Sequence, residues 1–165
     1  VMDDRTCMVD VARYFVKFLV DESCGKCVPC REGNRRMLEI LTRICDGEGV
    51  ASDIPLLERL SDAMMRGSLC ALGQTAPNPV LSTLRYFKHE YDAHINERRC
   101  PGAVCRKLIT YTINDQCTGC TLCRRACPQK AISGEKKEHH VIDQKLCDQC
   151  GVCIQTCKDA AIDVA

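Results

Sequence analysis

Two four-cysteine runs constrain this chain more than any other feature. Cys117, Cys120, Cys123 and Cys127 follow the spacing C-x2-C-x2-C-x3-C, and Cys147, Cys150, Cys153 and Cys157 repeat it thirty residues later. Ala131-Ile132 returns as Ala161-Ile162 on the same offset, and Ile113 and Ile142 each stand shortly before a first cysteine. The segment reads as two copies of strand, cysteine loop, short helix and strand. Under about sixty residues cannot bury enough apolar surface to fold unaided, so inorganic cores must help hold this half together.

Sixteen cysteines among 165 residues would indicate a disulfide scaffold in a short secreted chain. Here they fall in groups two residues apart, which suits a shared metal better than long cross-links. The start, V-M-D-D-R, has no apolar signal segment, and a reducing cytoplasm is the expected location. Net charge is +1, with 23 basic and 22 acidic residues interspersed. That balance offers no field for nucleic acid and no basic membrane anchor. No apolar run approaches the ~20 residues of a transmembrane helix.

The doubled run resembles the bacterial ferredoxins that carry two [4Fe–4S] clusters, over roughly residues 108 to 164. Three cysteines on a tight loop cover one face of a cubane, while the fourth opens a helix and turns to the other cluster. Cys117, Cys120, Cys123 and Cys157 are thus expected to hold one cluster, and Cys127, Cys147, Cys150 and Cys153 the other. Proline follows Cys127 but Lys158 follows Cys157. That departure should affect loop rigidity or local charge, not ligation. A pair of structural zinc sites is the alternative, but zinc usually takes C-x2-C pairs.

Up to about residue 96 the pattern is helical. Met8, Val11, Ala12, Phe15, Phe18 and Leu19 form one apolar stripe; Met37, Leu38, Leu41, Ile44 and Cys45 form a second. A third helix starts at Ser52 or Asp53, carries Ile54, Leu57, Leu60 and Met64, and ends at Gly67. The fourth starts at Asn78-Pro79 and buries Val80, Leu84, Phe87, Tyr91 and Ile95. Four helices with short turns predict an up-down-up-down bundle. The fold class is an N-terminal four-helix bundle followed by a two-cluster α+β domain. The expected division is 1–96, a hinge at 97–107, and 108–165.

Between helices one and two lies E-S-C-G-K-C-V-P-C-R-E-G, with Cys24, Cys27 and Cys30 but no fourth cysteine. Because helices alternate direction, the turn between helices three and four lies at the same end. It contains S-L-C-A-L-G, so Cys70 is the expected fourth ligand. On spacing alone this set suits zinc as well as a third [4Fe–4S] cluster.

The triplet segment and G-S-L-C-A-L-G-Q-T-A-P-N-P-V-L-S-T-L-R-Y-F resemble the C-terminal part of the FMN- and NADH-binding subunit of complex I and its diaphorase relatives. The likeness spans about residues 6 to 95. It implies that Cys24, Cys27, Cys30 and Cys70 bind the [4Fe–4S] cluster that takes electrons from FMN. The appended ferredoxin resembles the β subunit of electron-bifurcating or NAD(P)-linked [FeFe]-hydrogenases. The diaphorase subunit of an NAD(P)-dependent formate dehydrogenase is the alternative. The family's FMN and NAD(P) sites lie upstream, so the chain looks like the C-terminal segment of a longer polypeptide that carries electrons without itself transferring hydride. Implied partners are hydrogenase-like and [2Fe–2S] thioredoxin-like subunits of one redox complex, or a soluble ferredoxin. A zinc-stapled interaction module without redox role is a reading of a different class.

Four cysteines remain. Cys7 starts helix one, Cys45 ends helix two and His94 ends helix four, all at the pole away from the triplet. A fifteen-residue helix is about 22 Å long, so none reaches that triplet. Cys100 and Cys105 follow in R-C-P-G-A-V-C-R. His94, Cys100 and Cys105 with Cys7 are the expected structural zinc ligands, a pivot between the halves, with Cys45 left as a small hydrophobe. His139-His140 is expected to face solvent.

Overall fold

A computed structural model describes residue 3 and residues 5–164. It divides into two compact units, residues 1–108 and 109–165. The chain is helix-rich, with two small sheets confined to the second unit. No described helix is long and apolar enough to cross a membrane.

The first unit comprises α1 (Met8–Glu22), α2 (Val28–Cys45), α3 (Asp53–Gly67), α4 (Ala71–Thr75), α5 (Asn78–Tyr86) and α6 (Lys88–Asp92). A π-helical turn, Ala93–Glu97, and a 3-10 turn, Arg106–Leu108, follow. α1 packs on α2 and α5, and α3 packs on the same two helices. Met37, Leu41, Ile44, Leu57, Met64 and Val80 fill the centre. Gly47, at φ +76°, ends the run of α2 in a left-handed conformation that suits glycine.

Two helices differ from the sequence expectation. α1 buries Val9, Ala12 and Val16, while Phe15 and Phe18 are 42% and 53% exposed. The buried face is rotated by about one residue, roughly 100° of helix. Wedged between two neighbours, α1 presents its smaller side chains inward, where helices can approach closely, and leaves its aromatic face outside. The expected fourth helix is interrupted at Phe87 (φ −128°, ψ 32°). α6 restarts beyond it, fully burying Tyr91, whose hydroxyl lies 2.8 Å from Thr83 Oγ1 on α5.

In the second unit the order is β1 (Tyr111–Ile113), α7 (Leu122–Ala126), β2 (Ile132–Ser133), β3 (Val141–Ile142), α8 (Val152–Thr156) and β4 (Ile162–Val164). β1 pairs antiparallel with β4, setting Ile113 against Ile162, and β2 with β3, setting Ile132 against Ile142. Each repeat therefore pairs with the other and not with itself. The backbone repeats in detail: Gly119 and Gln149, Thr121 and Gly151, Lys130 and Ala160 all have positive φ. His140, expected at the surface, is fully buried, packed against the backbone of Gly134 at the edge of the β2–β3 hairpin. His139 is exposed, as expected.

The orientation of α1 is testable by anaerobic urea unfolding. Val16→Ala is expected to cost about 1–3 kcal/mol, whereas Phe18→Ser should stay within about 0.5 kcal/mol. The opposite ranking would place the aromatic face inside.

Candidate functional site

The crossed strand pairing positions the cysteines of the second unit. Cys117, Cys120 and Cys123 leave β1 on a loop that ends in the first turn of α7. β4, following Cys157, is hydrogen-bonded to β1, so the last cysteine of the second run returns to the first loop. A recess of about 310 Å³ is lined by Cys117, Cys120, Cys123 and Cys157. Its counterpart, about 300 Å³, is lined by Cys127, Cys147, Cys150 and Cys153. The rest of each wall is mainly aliphatic or small, with one carboxylate apiece, Asp159 and Asp148.

Backbone donors repeat around these sulfurs. Ala131 N–H donates to Cys127 Sγ at 3.3 Å, and Ala161 N–H to Cys157 Sγ at 3.4 Å. Burial pushes the Cys123 and Cys153 thiols up from their ordinary pKa. Deprotonating them thus requires a compensating positive charge, which a metal supplies.

In the first unit, Cys24 lies in the connection after α1, Cys27 caps α2, and Cys30 sits in its first turn. Cys70 precedes α4, which packs on α2 and α3. The fit between these turns is tight. A Cβ on Gly73 would stand 2.9 Å from Cys30 Cβ, and one on Gly67 2.9 Å from Pro29 Cγ. The Leu69 backbone beside Cys27 holds its thiol below the ordinary range. Helix direction thus brings the Cys70 turn against the triplet turn. Cys24 and Cys70 are exposed, while Cys30 is buried.

At the other end, Cys7 Sγ, His94 Nε2, Cys100 Sγ and Cys105 Sγ converge, all buried, with their ligand atoms within 4.8 Å of one another. Cys7 Sγ stands 3.8 Å from Cys105 Sγ, and His94 Nε2 is 3.4 Å from both. His94 Nδ1 donates to the Glu90 carbonyl oxygen at 2.7 Å, which leaves Nε2 as a lone pair toward the sulfurs. Gly102 fits against the backbone of Thr6 and Cys7, closing the Cys100–Cys105 loop onto the start of α1. Cys7 is raised by the Cys100 thiol and then by Cys105 and burial; Cys100 is lowered by the Cys105 and Cys7 thiols. Burial lowers His94, but the sulfurs of Cys100 and Cys7 outweigh it, so His94 is pushed up to about 10. Cys45 is buried at the end of α2 and is not among the four.

Several residues around these sites are not marked by spacing. Asn34 Nδ2 donates to Cys30 Sγ at 3.4 Å, and Ser23 Oγ lies at the same distance. Asn34 is one helical turn after Cys30, a signal available in the sequence. Glu90 accepts from Met8 N–H at 2.8 Å, joining the start of α1 to α6. His140 lines the recess of Cys117.

Residues 10–94 match the family described as the NADH-ubiquinone oxidoreductase-F iron-sulfur binding region. The chain belongs to this family. Residues 109–160 of this family member match the 4Fe-4S dicluster domain. It is 52% identical over 141 residues to the NADP-reducing hydrogenase subunit HndC of Solidesulfovibrio fructosivorans, covering 85% of this chain and 29% of that protein. It is 46% identical over 101 residues to the F 2 subunit of the NADH-quinone oxidoreductase of Rhizobium meliloti (strain 1021), covering 61% of this chain and 24% of that one. A chain of the NAD+-reducing [NiFe]-hydrogenase in the H2-reduced state superposes with a TM-score of 0.56 at 31% identity, covering 58% of this chain and 17% of that one. The chain thus spans less than a third of the length of these relatives.

The close approach at Gly73 gives a direct test. Gly73→Val is expected to push the Cys70 turn off Cys30 and to lose the iron bound there after anaerobic reconstitution. Iron in the second unit should remain. Iron analysis with electron paramagnetic resonance of the reduced protein distinguishes the two.

Proposed function

We propose that this family member is the electron-relay segment of an NAD(P)H-linked diaphorase-type subunit, with three [4Fe–4S] clusters and one structural zinc. The observation that carries the reading is the pair of recesses, each lined by three cysteines of one run and the last cysteine of the other. Four thiols around a small, largely aliphatic hollow fit the donor set of a cubane. A bound [4Fe–4S] cluster supplies a site that takes up and releases one electron. The chain supplies thiolates, sulfur-directed N–H groups and a dry wall, which together tune that event.

Cys24, Cys27, Cys30 and Cys70 are assigned to the remaining cluster. Their turns pack against one another, and exposure of Cys24 and Cys70 suits electron entry from a flavin in the longer polypeptide. The matching of both segments by iron–sulfur families supports this assignment. The ring of contacts among α1, α2, α3 and α5 supports a four-helix bundle over residues 1–96. Residues 97–107 act as connector to the two-cluster domain, 108–165.

A hydrogenase-type complex is favoured as the setting. The 141-residue similarity to HndC is too long for the first unit alone, whereas the similarity to the Rhizobium meliloti protein extends over 101 residues. The upstream part of the polypeptide would hold FMN and NAD(P).

For Cys7, His94, Cys100 and Cys105 the donor set fits closed tetrahedral zinc. With Zn–S near 2.3 Å and Zn–N near 2.05 Å, such a tetrahedron has S–S edges of about 3.8 Å and S–N edges of about 3.6 Å. The corresponding distances are 3.8 Å for Cys7–Cys105 and 3.4 Å from His94 to each of these sulfurs. Zinc carries no electrons, so its role is to clamp the connector to the start of α1.

Double substitutions test the crossed ligand sets. Cys117→Ala with Cys157→Ala should remove one cluster, while Cys117→Ala with Cys127→Ala should remove two. Iron content and spin quantification of the reduced protein read this out; the reverse pattern would assign each run its own cluster. Cys100→Ser should lose zinc and lower the melting temperature of the first unit, with the broad absorption near about 400 nm retained. A colourless, iron-free anaerobic preparation would overturn the relay reading.

A further inference from the structure

The two recesses are built alike but differ at one position. Ile113 pairs with Ile162, and Ile142 with Ile132, so β1 and β3 are equivalent strands of the repeat. Two residues before these isoleucines stand Tyr111 and His140. Tyr111 lines the recess of Cys147, and His140 lines the recess of Cys117. An imidazole in one hollow therefore takes the place of a phenol in the other.

His140 is fully buried. Its Nδ1 lies 3.1 Å from the Glu138 carbonyl oxygen and 3.8 Å from Cys117 Sγ. A carbonyl only accepts, so Nδ1 carries the proton and directs its N–H to the space between that oxygen and the sulfur. Nε2 is buried with no hydrogen-bond partner. An unpaired buried nitrogen costs about 1–3 kcal/mol, an unfavourable choice for a residue that only fills space. The ring is seated by close contact with Gly134, where a side chain would stand 2.9 Å from its Cγ.

We propose that His140 makes the two clusters of the second unit unequal, by presenting an imidazole N–H to the sulfur shell around Cys117 and raising the potential there. This rests on the cluster assignment above. A donor at a ligand sulfur stabilises the reduced, more negative state over the oxidised one. The hollow of Cys117, Cys120, Cys123 and Cys157 is thereby the preferred resting place for an electron within this unit. The Tyr111 hollow has no imidazole and is the more strongly reducing. His140 acts through Cys117 and is a positioning residue.

The test is an anaerobic redox titration of the full chain, wild type, His140→Phe and His140→Gln, followed by electron paramagnetic resonance with iron analysis on each sample. With iron retained, His140→Phe is expected to shift one cluster's reduction equilibrium about tenfold toward the oxidised form, 59 mV for a one-electron couple. His140→Gln, which keeps an N–H, should recover part of that shift. Unchanged potentials, or equal shifts in both variants, would overturn the proposal. Should His140→Phe lose iron, pulsed resonance on wild-type chain labelled with 15N-histidine decides. A nitrogen coupling to a second-unit cluster supports the proposal, and none overturns it. Absence of iron from the wild type would instead defeat the underlying cluster assignment.

Discussion

Antiparallel pairing between the two copies of a thirty-residue repeat is the constraint on which the second unit depends. β1 hydrogen-bonds to β4 and β2 to β3, so the start of one copy lies beside the end of the other. A cysteine that follows α8 is thereby delivered to the loop that precedes α7. Neither copy completes a four-thiol recess alone. Folding of the pair and assembly of its two donor sets are thus one event, the expected behaviour of a segment too small to stabilise itself by apolar burial.

The first unit reaches the same end by helix direction. One pole gathers the turn after α1 and the turn after α3; the other gathers the start of α1 and the chain after α6. What direction alone does not supply is aim. The break at Phe87 and the π-helical turn carrying His94 provide it, rotating the imidazole onto Cys7 and Cys105 while its other nitrogen is held by Glu90. A local π distortion at a ligand position has this consequence: one extra residue per turn redirects a side chain without moving the helix axis.

Sixteen cysteines made much of this legible. Ligands declare themselves by spacing, and the two that come from far along the chain, Cys70 and Cys157, follow from helix alternation and from the repeat. The aromatic stripe of α1 misled because periodicity reports a face without saying which neighbours cover it, and Val9, Ala12 and Val16 form an equally regular row. Phe87 looked like one more turn of helix, since nothing in a side-chain pattern marks a backbone break. His140 is the instructive case. It sits among Glu135, Lys136, Lys137 and Glu138, a run that reads as solvent-facing, and it is buried because β3 begins at the next residue and carries it inward. The repeat held the clue: the strand residue equivalent to His140 is Tyr111, itself buried.

Burial separates the two kinds of metal site. The four groups at Cys7, His94, Cys100 and Cys105 are at most 5% exposed, whereas Cys24, Cys70 and Cys120 are open to solvent. An ion that only fixes chain segments gains from complete enclosure, because competing water is excluded and no position has to stay reachable. Electron exchange makes the opposite demand, since donor and acceptor must come close to the cluster edge and partial exposure shortens that approach. Exposure also shifts a potential, so a relay that leaves some ligands at the surface has to set its potentials with groups held inside. Asn34 beside Cys30 and His140 beside Cys117 are such groups: each is fully buried, bears an N–H, and stands at the sulfur of a set whose other members face outward.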